Sequence, residues 1–182
     1  MPAGVRSGFT ASDDADAVER LSGSKLETLL LPTTNGTLLD LSSVEGTSVL
    51  YFYPMIGHPD RADPDGWDGI PGANGCTAES CGFRDQFSVL RSAGVDWVYG
   101  VSSQDIESQR EAIERLKLPF HLISDRELRL ARMLRLPTFE LNGTAYFRRV
   151  TVLVHDGIIL KVFYPVSPEA AADTVLNWIR RP

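Results

Sequence analysis

TSVLYFYP, Thr47 to Pro54, is the stretch on which the fold turns. Its apolar residues are continuous rather than alternating, which marks a central strand covered on both faces. The run stops at Pro54 and enters a long segment, Met55 to Gly75, rich in Pro, Gly and Asp and without periodicity. A segment of that length inside a compact domain is functional or mobile. It ends in PGANGCTAESCGFRD, Pro71 to Asp85, where the loop turns into a helix. Both cysteines of the chain, Cys76 and Cys81, stand at this junction.

Outward from here the chain alternates between strands and helices. Upstream, KLETLLLPTTNGTLLDLSS (25–43) reads as two short strands around Asn35-Gly36, a strong hairpin signal. Beyond the cysteines, Phe83, Phe87 and Leu90 recur at helical spacing, and Gly94 supplies a stop. VDWVYGVSS (95–103) reads as another buried strand. SQDIESQREAIERLKL (103–118) reads as a helix with Ile106, Ile113 and Leu116 inward, opened by Ser102 with Asp105 three residues on. FHLIS (120–124) is a short strand, and RELRLARMLRL (126–136) a short basic helix ending before Pro137. FRRVTVLVHDGIILKVFYP (147–165) reads as two strands around Asp156-Gly157. SPEAAADTVLNWIRR (167–181) closes the chain as a helix, with Ser167 at the N-cap and Pro168 at the first helical position.

Strands alternating with helices imply a partly parallel sheet covered on both faces. The closing strand–strand–helix adds an antiparallel hairpin. The expected fold is α/β and thioredoxin-like: a central mixed sheet flanked by helices, with an N-terminal β-hairpin. One domain is expected over residues 24–182. Residues 1–23 are small, polar and acidic, and read as a flexible tail or short surface helix in which Val18 and Leu21 offer little to bury.

The 182 residues suffice for one domain with a sizeable core. A net charge of −6 argues against nucleic acid or an anionic membrane as partner. No apolar run approaches the roughly 20 residues of a membrane span, and the start has no apolar signal region. A cytoplasmic location is expected, where a lasting disulfide is unusual and a transient one is admissible.

Three readings of the cysteine pair compete: a structural disulfide, half of a metal site, or a redox-active thiol with its partner. Glu79 stands three residues after Cys76, the acid's place in a capping box. Cys76 is then at or near the N-cap, where free N–H groups and the helix dipole stabilise a thiolate and lower its pKa. Five residues along a helix separate two Cα atoms by roughly 8–9 Å, beyond disulfide reach. A bond between the two thiols therefore requires the first turns to unwind. Gly82, next to Cys81, weakens the helix there. The metal reading is poor, because His58, His121 and His155 are scattered and C-x4-C is not a usual zinc spacing. Two unreactive buried cysteines are the bland alternative.

SVLYFYP followed by GCTAESCGFRDQF resembles the peroxiredoxins, most closely the Q-type or bacterioferritin-comigratory-protein subgroup. The resemblance runs from about Lys25 to Trp178 and takes in LPFHLISD and RRVTVLVHDGIILKVFYPV. It implies that Cys76 is the peroxidatic cysteine, oxidised by peroxide to a sulfenic acid. It implies that Cys81 is the resolving cysteine, forming an intramolecular disulfide that a thioredoxin-type reductant resets. Arg149 aligns with the family's arginine, which stabilises the thiolate and the developing oxyanion. Strand alternation puts Arg149 and Thr151 on one face and Arg148 on the other. For Arg148 and Arg84 the alternative is a surface or inter-element ion pair. No cofactor and no metal are implied.

The chain departs from the family motif at Ala73 and Asn74, where a threonine and a proline are usual. Alanine has no hydroxyl to orient peroxide. Asn74 and Thr77 are the candidate donors in its place, and Gly75 completes the substrate-binding set. The loop is also longer than usual, with an additional IGHPDRADPDGWDG before Ile70. Its Trp67 is either a cover over the site or a packing anchor. The expected function is a thiol peroxidase acting on hydrogen peroxide or organic hydroperoxides, as a monomer or weak homodimer. A disulfide oxidoreductase, and a redox sensor or interaction module with weak catalysis, are the alternatives.

Overall fold

A computed structural model describes residues 11–181. Five strands form one twisted sheet in the order β5-β4-β3-β8-β9. The central strand β3 (Thr47–Phe52) runs parallel to β4 (Trp97–Ser102), which runs parallel to β5 (His121–Ser124). On its other side β3 pairs antiparallel with β8 (Val150–His155), which turns back into β9 (Ile158–Phe163). The mixed sheet, the parallel pairing and the closing hairpin are those expected. That hairpin turns at Asp156 and Gly157, both at positive φ, the backbone hand that matches the twist of its strands.

The continuous apolar run of β3 is buried because each of its faces has its own core. Leu50 and Phe52 point to a layer with α1 (Ala11–Glu19) and α5 (Arg129–Leu134). Val49, Tyr51 and Tyr53 point to the opposite layer. There they meet α2 (Cys76–Asp85), α3 (Phe87–Ser92), α4 (Ile106–Leu116) and α6 (Ala171–Ile179). Each such side chain contributes roughly 1.5–3 kcal/mol on burial. The N-terminal hairpin is present as β1 (Leu30–Pro32) and β2 (Leu38–Asp40), its turn closed by Asn35 Oδ1 accepting from the Thr37 N–H at 3.0 Å.

Four local expectations need correction. Val18 is 1% exposed and part of the core, so the segment before residue 24 does bury an apolar side chain; residues 1–10 lie outside those described. The helix through Phe83, Phe87 and Leu90 is two helices, broken at Gln86 (φ −92°, ψ 3°). In α4 the cap is Asp105, which accepts from the Ser108 N–H at 2.8 Å, because Ser102 is still inside β4. Its inward face carries Gln109, Ala112 and Leu116, with Ile106 and Ile113 only partly covered.

The sequence reading left out one element. A third hairpin, β6 (Thr138–Leu141) and β7 (Thr144–Phe147), turns at Asn142-Gly143. It receives the long loop: Trp67 and Ile70 pack with Phe139 and Tyr146 in a third apolar cluster. Trp67 lies 5.1 Å from Tyr146 and 5.9 Å from Phe139 between ring centres, so it is an anchor. No helix among the described residues is long and apolar enough to cross a membrane.

Candidate active site

Cys76 is the first residue of α2, entered from Gly75 at φ 101°. That left-handed entry, together with Gly75's lack of a side chain, turns the loop sharply into the helix. The buried face of α2 is Cys76, Glu79, Ser80 and Phe83, the i, i+3, i+4, i+7 spacing of one helix side. Opposite it stand Tyr51 of β3 and Arg149, one residue before β8. Arg149 shares its sheet face with Thr151, as alternation requires, while Arg148 lies over the Phe139 ring at 5.5 Å.

Arg149 organises the site. Its Nη2 donates to Cys76 Sγ at 3.3 Å, to the Asn74 carbonyl at 3.0 Å and to the Gly72 carbonyl at 3.2 Å. Its Nη1 donates to Glu79 Oε2. One guanidinium therefore ties the loop end, the sulfur and the first turn of α2 to the sheet. Glu79 is fully buried and does not close a capping box. Gly75 offers no side chain for one, and the carboxylate turns inward to the arginine.

Burial sets the charges here. It pushes the Cys76 thiol up from its ordinary value; the Arg149 charge and hydrogen bond and the Met55 N–H pull the other way without cancelling it. A helix start alone would lower the thiol; here burial outweighs it, because Cys76 is 2% exposed. The thiol donates to the Ala73 carbonyl at 3.5 Å. Burial also raises the Glu79 carboxyl, to about 8, against the pull of Arg149. For Arg149 itself, burial works against the charge, and Glu79 and Cys76 outweigh it.

Cys81 lies on the same unbroken helix, half-buried, and both thiols are free. Helical spacing keeps them beyond bonding distance while α2 is intact. Arg84 Nε pairs with Asp85 at 2.8 Å and its Nη1 donates to the Leu116 carbonyl at 2.7 Å, the inter-element alternative.

Comparison with known proteins decides the family. The Redoxin family model matches residues 13–176. Peroxiredoxin Bcp of Escherichia coli K12 is 31% identical over 155 residues, covering 82% of this chain and 89% of that protein. The chain belongs to the Q-type, or Bcp, peroxiredoxins. A bcp-type peroxiredoxin of Coxiella burnetii is 37% identical over 106 residues, and the chain spans only 60% of that relative's length. It spans 58% of the chloroplastic peroxiredoxin Q of rice. Among solved structures, peroxidoxin BcpB of Mycobacterium tuberculosis superposes with a TM-score of 0.71 at 26% identity, over 87% of this chain and 96% of that one. Xanthomonas campestris peroxiredoxin Q, at 24% identity and a TM-score of 0.68 over 85% and 95%, shares the fold.

This peroxiredoxin fills the motif's threonine position with an alanine that faces away from polar chemistry. Ala73 is fully buried in the cluster of Trp67, Ile70, Phe139 and Tyr146. The Asn74 amide donates to Asp68 Oδ1 at 3.0 Å, and its carbonyl accepts from Arg149 Nη2 at 3.0 Å. Thr77 is exposed on the outer side of the first turn. Among the described residues, the side-chain donor to the sulfur is Arg149, at 3.3 Å. Glu79 and Tyr51 escaped the sequence reading as site residues. The helical spacing from Cys76 to Glu79 was the available signal for the first; nothing local marked the second.

Proposed function

We propose that this peroxiredoxin is a thiol peroxidase that reduces hydrogen peroxide or organic hydroperoxides through Cys76. The observation that carries the reading is Arg149 Nη2 at 3.3 Å from Cys76 Sγ at the start of α2. The Cys76 thiolate attacks one peroxide oxygen, a sulfur–oxygen bond forms and the O–O bond breaks. The leaving alkoxide or hydroxide takes up a proton, and Cys76 becomes a sulfenic acid. Arg149 stabilises negative charge on the sulfur before the step and on oxygen during it.

Cys81 then resolves the sulfenic acid. Its sulfur bonds to Cys76 Sγ, and the hydroxyl leaves with a proton as water. A thioredoxin-type dithiol reduces the disulfide, becoming oxidised itself and returning both cysteines to thiols. Both sulfurs come from one helix, so a monomer or weak homodimer suffices. A cytoplasmic location suits a cycle reset by such a reductant. The test is peroxide consumption by reduced protein: Cys76→Ser is expected to consume none beyond buffer, and consumption at the parent rate refutes the assignment.

A second reading, a redox sensor with weak catalysis, is favoured by Ala73, which brings no hydroxyl to the peroxide. Sustained turnover with thioredoxin, its reductase and NADPH supports the peroxidase; one stoichiometric oxidation followed by arrest supports the sensor.

A further inference from the structure

Between its two cysteines, α2 docks on the sheet through polar rather than apolar side chains. Glu79 meets Arg149, and Ser80 Oγ lies 3.0 Å from Tyr51 Oη, with Ser80 and Tyr51 both fully buried. The Tyr51 ring also stacks on Phe83 with 4.6 Å between centres and 16° between planes. Ser80 is the residue immediately before Cys81. A Cβ on Gly82, immediately after Cys81, would meet nothing within 4 Å. No neighbour therefore demands glycine there, and its effect is to weaken the helix.

These features flank Cys81 with opposite signs. The Tyr51–Ser80 hydrogen bond holds that turn of α2 closed; Gly82 favours its opening. We infer that Tyr51 and Ser80 are positioning residues for the resolving step, a latch whose strength sets how a sulfenic acid on Cys76 is consumed. The inference rests on the resolving role given to Cys81. Two fates compete for that sulfenic acid. With α2 closed, it stays beside Arg149 and a second peroxide oxidises it to sulfinic acid, releasing water or an alcohol. With α2 open, Cys81 reaches it, the disulfide forms and water leaves. A weaker latch therefore favours the disulfide.

The test reads the ratio of disulfide to sulfinic acid on Cys76 by mass spectrometry over a range of hydrogen peroxide concentrations. Tyr51→Phe removes the latch and is expected to raise the ratio about 2- to 12-fold, the range a single net hydrogen bond supports. Ser80→Ala is expected to act the same way, and Tyr51→Phe with Ser80→Ala less than multiplicatively, because the two share one bond. Gly82→Ala, which touches nothing, is expected to lower the ratio about fivefold, from the helix preference of alanine over glycine. Ile159→Val, a comparable loss of stability in the other core layer, is expected to leave it unchanged. A ratio equal in the parent, Tyr51→Phe and Gly82→Ala overturns the latch while leaving the peroxidase reading intact. If the parent consumes peroxide and forms no Cys76–Cys81 disulfide at all, the resolving role fails and the latch with it.

Discussion

Arg149 Nη2 lies 3.3 Å from Cys76 Sγ while the same guanidinium holds Glu79, and all three side chains are buried. Sulfur, cation and carboxylate thus form one unit, so a change at any member is read at the other two.

Arg149→Lys keeps the charge and loses the planar fork that reaches four acceptors at once. The second-order rate of Cys76 oxidation is expected to fall about 10- to 100-fold, as for a lost hydrogen bond to a charged group. The pH dependence has a definite sign. The thiolate reacts, and burial already holds the folded thiol above its ordinary value, so the rate climbs with pH. Weakening the guanidinium's hold moves that climb to higher pH. In the parent, Cys76 adds nothing to the pH dependence of stability while both folded and unfolded thiols are protonated; above the unfolded value the unfolded chain ionises first and stability falls. Stopped-flow fluorescence across pH measures the shift, and an unmoved profile contradicts the assigned role.

Glu79→Gln is expected to flatten a slope in stability. Burial raises the Glu79 carboxyl from 4.5 to about 8, so through that window the unfolded chain releases the proton first and the folded state is penalised as pH rises. Glutamine has no proton to release. Urea unfolding at several pH values is expected to show the parent losing stability relative to the variant from acid to neutral pH. Parallel curves would sink the claim.

Gly75→Ala is expected to disturb the site from its backbone. The residue sits at φ 101°, and an added Cβ would fall 2.5 Å from Pro168 Cγ. The turn at Pro168–Ala170 that packs on the start of α2 must move, and with it the sulfur. Loss of peroxide-dependent oxidation with circular dichroism preserved is the expected result; parent-like oxidation argues against a tight entry.

Restoring the motif threonine by Ala73→Thr is expected to destabilise the protein without speeding peroxide reduction. Ala73 is fully buried among aromatic rings, so the larger side chain is expected to cost about 1–3 kcal/mol in overpacking. Thermal unfolding and the oxidation rate check the two halves separately. A faster enzyme of unchanged stability would show that the position faces the peroxide.

Most of the sheet was legible because its signals are local. Asn35-Gly36 and Asp156-Gly157 announced hairpins, and the unbroken run of β3 announced burial on both faces. Asn142-Gly143 carries the same signal, yet its hairpin is flanked by short, half-exposed strands whose partner, the loop around Trp67, lies more than 70 residues away. Cys76, Cys81 and Arg149 were marked by motif. Glu79 was marked too, but the capping rule assigned it to the backbone; only the sheet behind α2 shows the buried arginine that competes for it. The raised Cys76 thiol escaped for the same reason. Helix position is local, whereas burial is a property of the packed whole.

The proposed mechanism stands on Cys76 reacting with peroxide and Cys81 resolving the product. Mass spectrometry of reduced protein after one equivalent of hydrogen peroxide tests it most directly. Loss of two hydrogens, mapped by peptide analysis to a Cys76–Cys81 disulfide, is the expected result. A stable sulfinic acid on Cys76 with Cys81 still a free thiol would contradict it.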